Sequence, residues 1–304
     1  MQLPPDQTDR FYRIWFALLH YVHEQRQLAP TFPDTPKAAS ISPSDALQLR
    51  SALWADDALR ESFIAINPAG LPPADLALVA SWKYRLAGNF FIVRHLKKYY
   101  VFLSEHPSAH AYGVLGLVSP IEEIVGPYLP IYVQAVLLPF EGQIIYDSLL
   151  QSYAITFGPG IRGSLNEAYR NAQEREGIIT TLELAEVPTS LDELRKGILA
   201  RDAKILRAFR KDLASRGLSY TMVEKHASNI DAFAQSYLLA QDPPRGLLDM
   251  TFADVEAYLR ITENETITTS FKRFVRFLDE TAWMDYEKIK PLHAFLKHGV
   301  GLAD

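Results

Sequence analysis

Apolar residues recur at helical spacing near the start of the chain. Phe11, Trp15, Leu18, Leu19 and Val22 share one side of a 3.6-residue repeat across residues 8–27. The pattern predicts an amphipathic helix, either a docked arm or a homodimer and partner-binding element. The stretch Ala29–Lys37 carries three prolines within seven residues. Proline cannot continue a helix, so the helix ends there in a linker. Ser42-Pro43-Ser44-Asp45 reopens helical structure, with serine at an N-cap and proline at the first helical position. Helices are predicted over 43–54 and 56–66, then a turn at Asn67–Gly70. A further helix runs from Pro73 to Leu86 and stops near Gly88.

From residue 89 the texture changes to short runs of aromatic and β-branched residues. Six strands are predicted, at 89–94, 99–104, 111–118, 133–140, 143–147 and 152–157. Glu141-Gly142 reads as a hairpin turn and Pro120–Val125 as a short helix. Parallel strands need long crossovers, so these close connections predict an antiparallel sheet. Residues 164–176 return to helix.

Everything beyond Ser190 reads as helical. Val187-Pro188-Thr189-Ser190 is the predicted domain boundary, and Ser190 with Glu193 forms a capping box. The helix runs to Arg216 and stops at Gly217. Ser219 caps the next, which extends to about Ala240 before Asp242-Pro243-Pro244-Arg245-Gly246 breaks it. Thr251 and Asp254 open a third helix, 267–281 forms a fourth, and a last stretch from Asp285 is interrupted at Pro291. The predicted fold is α+β over 1–187, with N-terminal helices packed on an antiparallel sheet. An all-α bundle of four to five helices follows over 188–304.

Composition narrows the chemistry. At 48% hydrophobic and 22% charged the chain has ample apolar content for two cores. It contains no cysteine, which removes disulfides, thiolate catalysis and cysteine-ligated zinc. The opening Met1-Gln2-Leu3-Pro4-Pro5-Asp6 has no secretory pattern. The apolar runs Phe90–Val93 and Ala135–Phe140 are too short to span a bilayer. A cytoplasmic protein with no membrane partner is expected. Charge is uneven: residues 1–195 hold 15 Lys/Arg against 21 Asp/Glu, and residues 196–304 hold 16 against 15. The helical part is therefore the less acidic part, without the strongly basic balance usual in a dedicated DNA-binding module.

Two segments of that part carry a family likeness. Gly217–Phe233 and Thr269–Leu278 resemble the core-binding (SAM-like) helical domain that precedes the catalytic domain of tyrosine recombinases and phage integrases. The resemblance implies a domain that grips DNA without chemistry of its own. On matching outward positions it implies nucleic-acid contacts by Lys225, Asn229, Lys272, Arg273 and Arg276. In helical projection Phe271, Phe274, Val275 and Leu278 share one face of the fourth helix, and the three cations project from the other. Only about 20 residues follow that helix, so the recombinase catalytic domain is not expected, and Tyr286 lacks its surroundings.

Other motifs carry weaker chemistry. Gly158-Pro159-Gly160-Ile161-Arg162-Gly163 spells G-x-G-x-x-G, with Glu183 at about the dinucleotide-fingerprint distance. No parallel sheet can be assembled around it, so a glycine-rich turn is predicted. A small molecule or phosphate near Gly158, Gly160, Arg162 and Gly163 is the further alternative. Arg94–Lys98 forms a basic tip between aromatic strands containing Phe91, Tyr99, Tyr100 and Phe102, which are read as core or cross-strand packing. His20, His23 and Glu24 lack a further metal ligand, and His106 and His110 are isolated. Adjacent pairs such as Asp56-Asp57 and Glu122-Glu123 do not face each other on a helix. No cofactor, no metal and no enzymatic activity are expected. The leading expectation is a non-enzymatic nucleic-acid binder, and the alternative is a protein-interaction or regulatory module.

Overall fold

The structure, a computed structural model, describes residues 1–29, 32, 41–105, 109–182, 190–264 and 266–298. Most of the predicted proline linker, Glu183 and the boundary residues Val187–Thr189 lie outside the described residues, as does His106. Two compact units are present. The first comprises Met1–Glu105, His110–Asn166 and Ile178–Leu184, and the second His106–Ala109, Glu167–Gly177 and Ala185–Asp304.

In the first unit, helix α1 (Pro5–Arg26) buries Phe11, Ile14, Trp15, Leu18, Leu19 and Val22. Phe11 and Trp15 pack against Trp82, and Phe11 also meets Phe140 edge-on. The helix is thus a docked core element of its own unit, and its apolar face is already covered. Helices α2 (Pro43–Ala55) and α3 (Asp57–Ile66) start on side-chain caps. Ser42 Oγ accepts from the Asp45 N–H, and an Asp56 oxygen accepts from the Ala58 N–H. Helix α4 (Pro73–Ser81) is shorter than predicted. A single 3₁₀ turn, Trp82–Tyr84, leads directly into strand β1 (Leu86–His95). Gly88 is therefore a strand residue opposite Ala135 and not a helix stop, because the backbone from Leu86 onward bonds to β4.

The remaining strands are β2 (Tyr100–Ser104), β3 (Ala111–Val114), β4 (Ile131–Phe140), β5 (Gln143–Tyr146) and β6 (Gln151–Ser152), with helix α5 (Ile121–Val125) between β3 and β4. All six predicted strands are present, although the last is only two residues long. The sheet is mixed and mostly antiparallel. Its order is β1-β2-β3-β5-β4-β6, and β1 also pairs with β4, so the first five strands form a closed ring. The parallel pairing of β3 with β5, Val114 with Ile144, departs from the expected all-antiparallel sheet. The intervening α5 segment and the β4–β5 hairpin together supply the crossover that a parallel neighbour requires. Closure removes the free edges that an open sheet would expose. At Gly113 an added Cβ would lie 2.8 Å from the Tyr99 ring, so the ring packs where only glycine leaves room.

Helix α6 (Pro159–Arg175) begins earlier than predicted and takes in most of the G-x-G-x-x-G segment. The predicted glycine turn is helical: Pro159 opens the first turn and the Arg162 N–H donates to the Gly158 carbonyl at 3.1 Å. In the second unit, α6 ends at Arg175, whose guanidinium donates to the Ala109 and Ala282 carbonyls.

Five further helices form the all-α region: α7 (Leu191–Ser215), α8 (Tyr220–Phe233), α9 (Phe252–Ile261), α10 (Ile267–Glu280) and α11 (Tyr286–His298). Ser190 Oγ accepts from the Glu193 N–H, and Thr251 with Asp254 makes a reciprocal capping box. Gly217 stops α7 with φ at 80°, a backbone state open to glycine. Ser219 occupies the N-cap position of α8 but its side chain makes no capping bond. A π-helical turn, Ala234–Leu238, continues α8. Pro291 lies inside α11 without interrupting it. The core joins Phe209, Phe233, Phe271, Phe274 and Phe277, among others.

Candidate nucleic-acid interface

Helices α8 and α10 face each other through apolar stripes, each interrupted by one polar residue. On α8 the stripe is Val223, His226, Ala227, Ile230 and Phe233; on α10 Ser270 sits among Ile267, Phe271 and Phe274. His226 is 1% exposed and Ser270 fully buried. His226 Nδ1 lies 2.9 Å from Ser270 Oγ. Ser270 also accepts from Asn229 Nδ2 at 2.8 Å and donates back to the Thr266 carbonyl at 3.1 Å. Its single proton is thereby used, which makes His226 Nδ1 the donor and leaves Nε2 as a bare acceptor. Among the described residues no partner reaches that buried Nε2.

The five residues implied by the resemblance fall into two groups. Asn229 is half-buried, and its amide is engaged within the unit. Its nitrogen donates to Ser270 and to Thr266 Oγ1 at 3.2 Å, and its oxygen accepts from Asn264 at 2.8 Å. Lys225, Lys272 and Arg276 are exposed and Arg273 is half-buried. The His226 pKa is lowered first by burial and then by the charges of Arg273 and Lys225. The structure therefore brings cations from two helices to bear on one buried imidazole.

Carboxylates stand on the same two helices, Glu224 beside Lys225 holding Arg210, and Asp279 on α10 lying 3.1 Å from His293. Several other cations of the helical unit are paired: Arg201 with Asp249, Arg210 with Glu224, Arg216 with Asp212 and Glu280, and Arg245 with Asp254. Among the described residues Lys225, Lys272 and Arg273 make no ion pair. Arg276 stands 3.9 Å from Glu280, which already serves Arg216. Lys272 also lines a groove of about 430 Å³ with His293 and Lys297 of α11.

The other candidates are not brought together into a site. Gly160, Arg162 and Gly163 lie exposed on the first turns of α6, with Gly158 just before it. Arg162 Nε turns back to the Phe157 carbonyl at 2.9 Å. In the basic tip, Arg94 bonds Asn166 at 2.7 Å, and Lys97 and Lys98 are exposed. Phe91 packs across strands on Tyr132, with ring centres 4.8 Å apart. His20 pairs with Glu24 at 3.5 Å. Among the described residues no group of three or more His, Asp or Glu could hold a metal ion. No described helix is long and apolar enough to cross a membrane.

Buried titratable residues such as His226 and Asp202 are absent from the sequence-derived candidates. Asp202 of α7 falls in register with Ile198, Ile205 and Phe209 and is 6% exposed. The signal for each is a polar residue in the middle of an apolar helical stripe. No protein family, curated protein or solved structure matches the chain.

Proposed function

We propose that the helical unit binds nucleic acid through phosphate contacts made by α8 and α10, with no chemistry of its own. The observation that carries this reading is the convergence of Lys225 and Arg273 on buried His226 with no carboxylate between them. Cations held together without counter-charge repel one another, and a phosphate backbone relieves that repulsion while its condensed counterions are released. Lys272 and Arg276, four residues apart on one face of α10, extend the same stripe. Asn229 supports the reading indirectly, since its amide holds α8 and α10 in register.

The test is a titration of the full chain with fluorescent duplex DNA and RNA at two salt concentrations. Replacing Lys225, Lys272 and Arg273 together with alanine should weaken binding. It should also flatten the salt dependence by roughly 0.9 in log–log slope for each lost duplex contact. Unchanged affinity and slope would sink the assignment. Failure of the wild-type chain to bind at low salt would favour a protein partner, for which Tyr220, 80% exposed, and Met222 on α8 offer apolar contact.

A further inference from the structure

A groove of about 550 Å³ lies between α7 and the end of α8, and it shares no lining residue with the basic face above. Its floor is apolar, built from Ile198 and Leu206 of α7 and from Leu239. The π-helical turn Ala234–Leu238 contributes Ala234 and Gln235 to the opposite wall, and the Leu239 N–H donates to the Ala234 carbonyl at 2.9 Å. Such a turn adds one residue to the helix and is frequent at functional sites.

Two carboxylates enter this groove, Asp202 from α7 and Asp231 from α8. Both Asp202 oxygens share a single donor, the Leu247 N–H, at 3.1 and 3.2 Å. The nearest cation, Arg201 Nε, is 4.0 Å away, and its Nη2 is given to Asp249. Asp231 receives Gln235 Nε2 at 2.8 Å and has no ion pair among the described residues. The groove's own arginines do not answer them: Arg210 is held by Glu224 at 3.0 and 3.2 Å, and Arg207 is exposed to solvent. A buried carboxylate gains more from a new cation than an exposed arginine gains from a new anion, because water already screens the arginine. Burial pushes the Asp202 carboxyl up to about 6, and Asp249 and Asp231 act in the same direction.

We propose that this groove binds an organic cation, an ammonium or guanidinium on an apolar body, with the charge at Asp202 and Asp231 and the body along Ile198, Leu206 and Leu239. A free alkylamine and a Lys or Arg side chain on the apolar face of a partner peptide offer the same chemistry. The inference is independent of nucleic-acid binding.

The experiment titrates the full chain with hexylammonium, with hexanoate as the matched anion, and with an amphipathic peptide carrying one arginine on its apolar face. Backbone amide shifts of Ala234, Gln235 and Leu239 are the readout. Hexylammonium or the peptide should move these amides and hexanoate should not. Asp202→Asn and, at half-buried Asp231, Asp231→Asn should each weaken binding about tenfold, the loss of one charge-assisted contact. Lys290→Ala, exposed on α11 and outside the groove lining, should leave it intact. Tighter binding of the peptide identifies a protein source, and tighter binding of the amine a small molecule. Equal response to hexanoate, unchanged binding by both Asp variants, or no response to any probe overturns the proposal.

Discussion

His226 Nδ1 lies 2.9 Å from Ser270 Oγ, joining two helices whose other facing residues are almost all apolar. The contact gives the α8–α10 seam one directional bond in a non-directional interface. Such a bond resists sliding of one helix along the other, because any shift would leave two buried polar groups unpaired. Lys225 and Arg273 sit beside it, so the seam and the basic face share one geometry.

Acid should loosen that seam. The His226 pKa in the folded chain is below the ordinary 6.5, through burial and then through Arg273 and Lys225. Below 6.5 the unfolded chain therefore binds more protons than the folded one, and stability falls as pH falls through this window. The urea midpoint of the wild type should lose its advantage over His226→Gln between pH 7.5 and pH 5.5. A pH-independent difference between the two proteins would contradict this.

Asp202 should act with the opposite sign. Its folded pKa of about 6 lies above the ordinary 3.8, so the folded chain binds more protons between those values. Stability contributed by Asp202 is thus lost as pH rises through that window, and the penalty is complete above 6. Asp202→Asn keeps an acceptor for the Leu247 N–H and removes the charge. It should stabilise the chain by about 1–2 kcal/mol at pH 7.5 and by little near pH 4. Chemical denaturation at both pH values checks it, and a less stable variant at pH 7.5 would refute it.

The first unit contains a fully buried carboxylate, Asp147, which accepts from Arg50 Nε at 2.5 Å and from Trp54 Nε1 at 2.7 Å. Burial pushes the Asp147 pKa up, while Arg50 pulls against it. Arg50→Ala leaves the carboxylate buried without its cation and should cost about 3–5 kcal/mol. Replacing both residues with apolar ones, Arg50→Met with Asp147→Leu, should recover much of that loss. A single variant as stable as wild type in urea would show the pair to be unimportant.

Asn229→Ala separates structure from binding. It removes bonds to Asn264, Thr266 and Ser270 and should cost roughly 1–3 kcal/mol of stability. Lys225→Ala, at an exposed position, should change stability by less than about 0.5 kcal/mol. If both variants weaken DNA binding, only the first should do so together with a lowered urea midpoint.

Many local signals proved readable, although Ser219 makes no capping bond and Pro291 does not interrupt α11. The Thr251–Asp254 box, the serine caps at Ser42 and Ser190, and the Gly217 stop all stand at their predicted positions. The glycine segment after Phe157 was misleading because proline and glycine also tolerate the first turns of a helix. Gly88 was misleading because its strand partner, Ala135, lies far along the chain.

By itself the sequence determined the order of elements: helices, then six strands, then about five helices. Periodicity, caps and turn residues are short-range physics, and each element satisfies its own backbone or its nearest neighbour. Only the tertiary structure decided that β1 would meet β4 and close the ring, or that His226 would meet Ser270, 44 positions away. It likewise decided that Asp202 would be buried against the Leu247 N–H, 45 positions away. Such pairings are selected by how much apolar surface the whole chain can bury at once and by which polar groups are thereby taken out of water, and no local spacing encodes that sum.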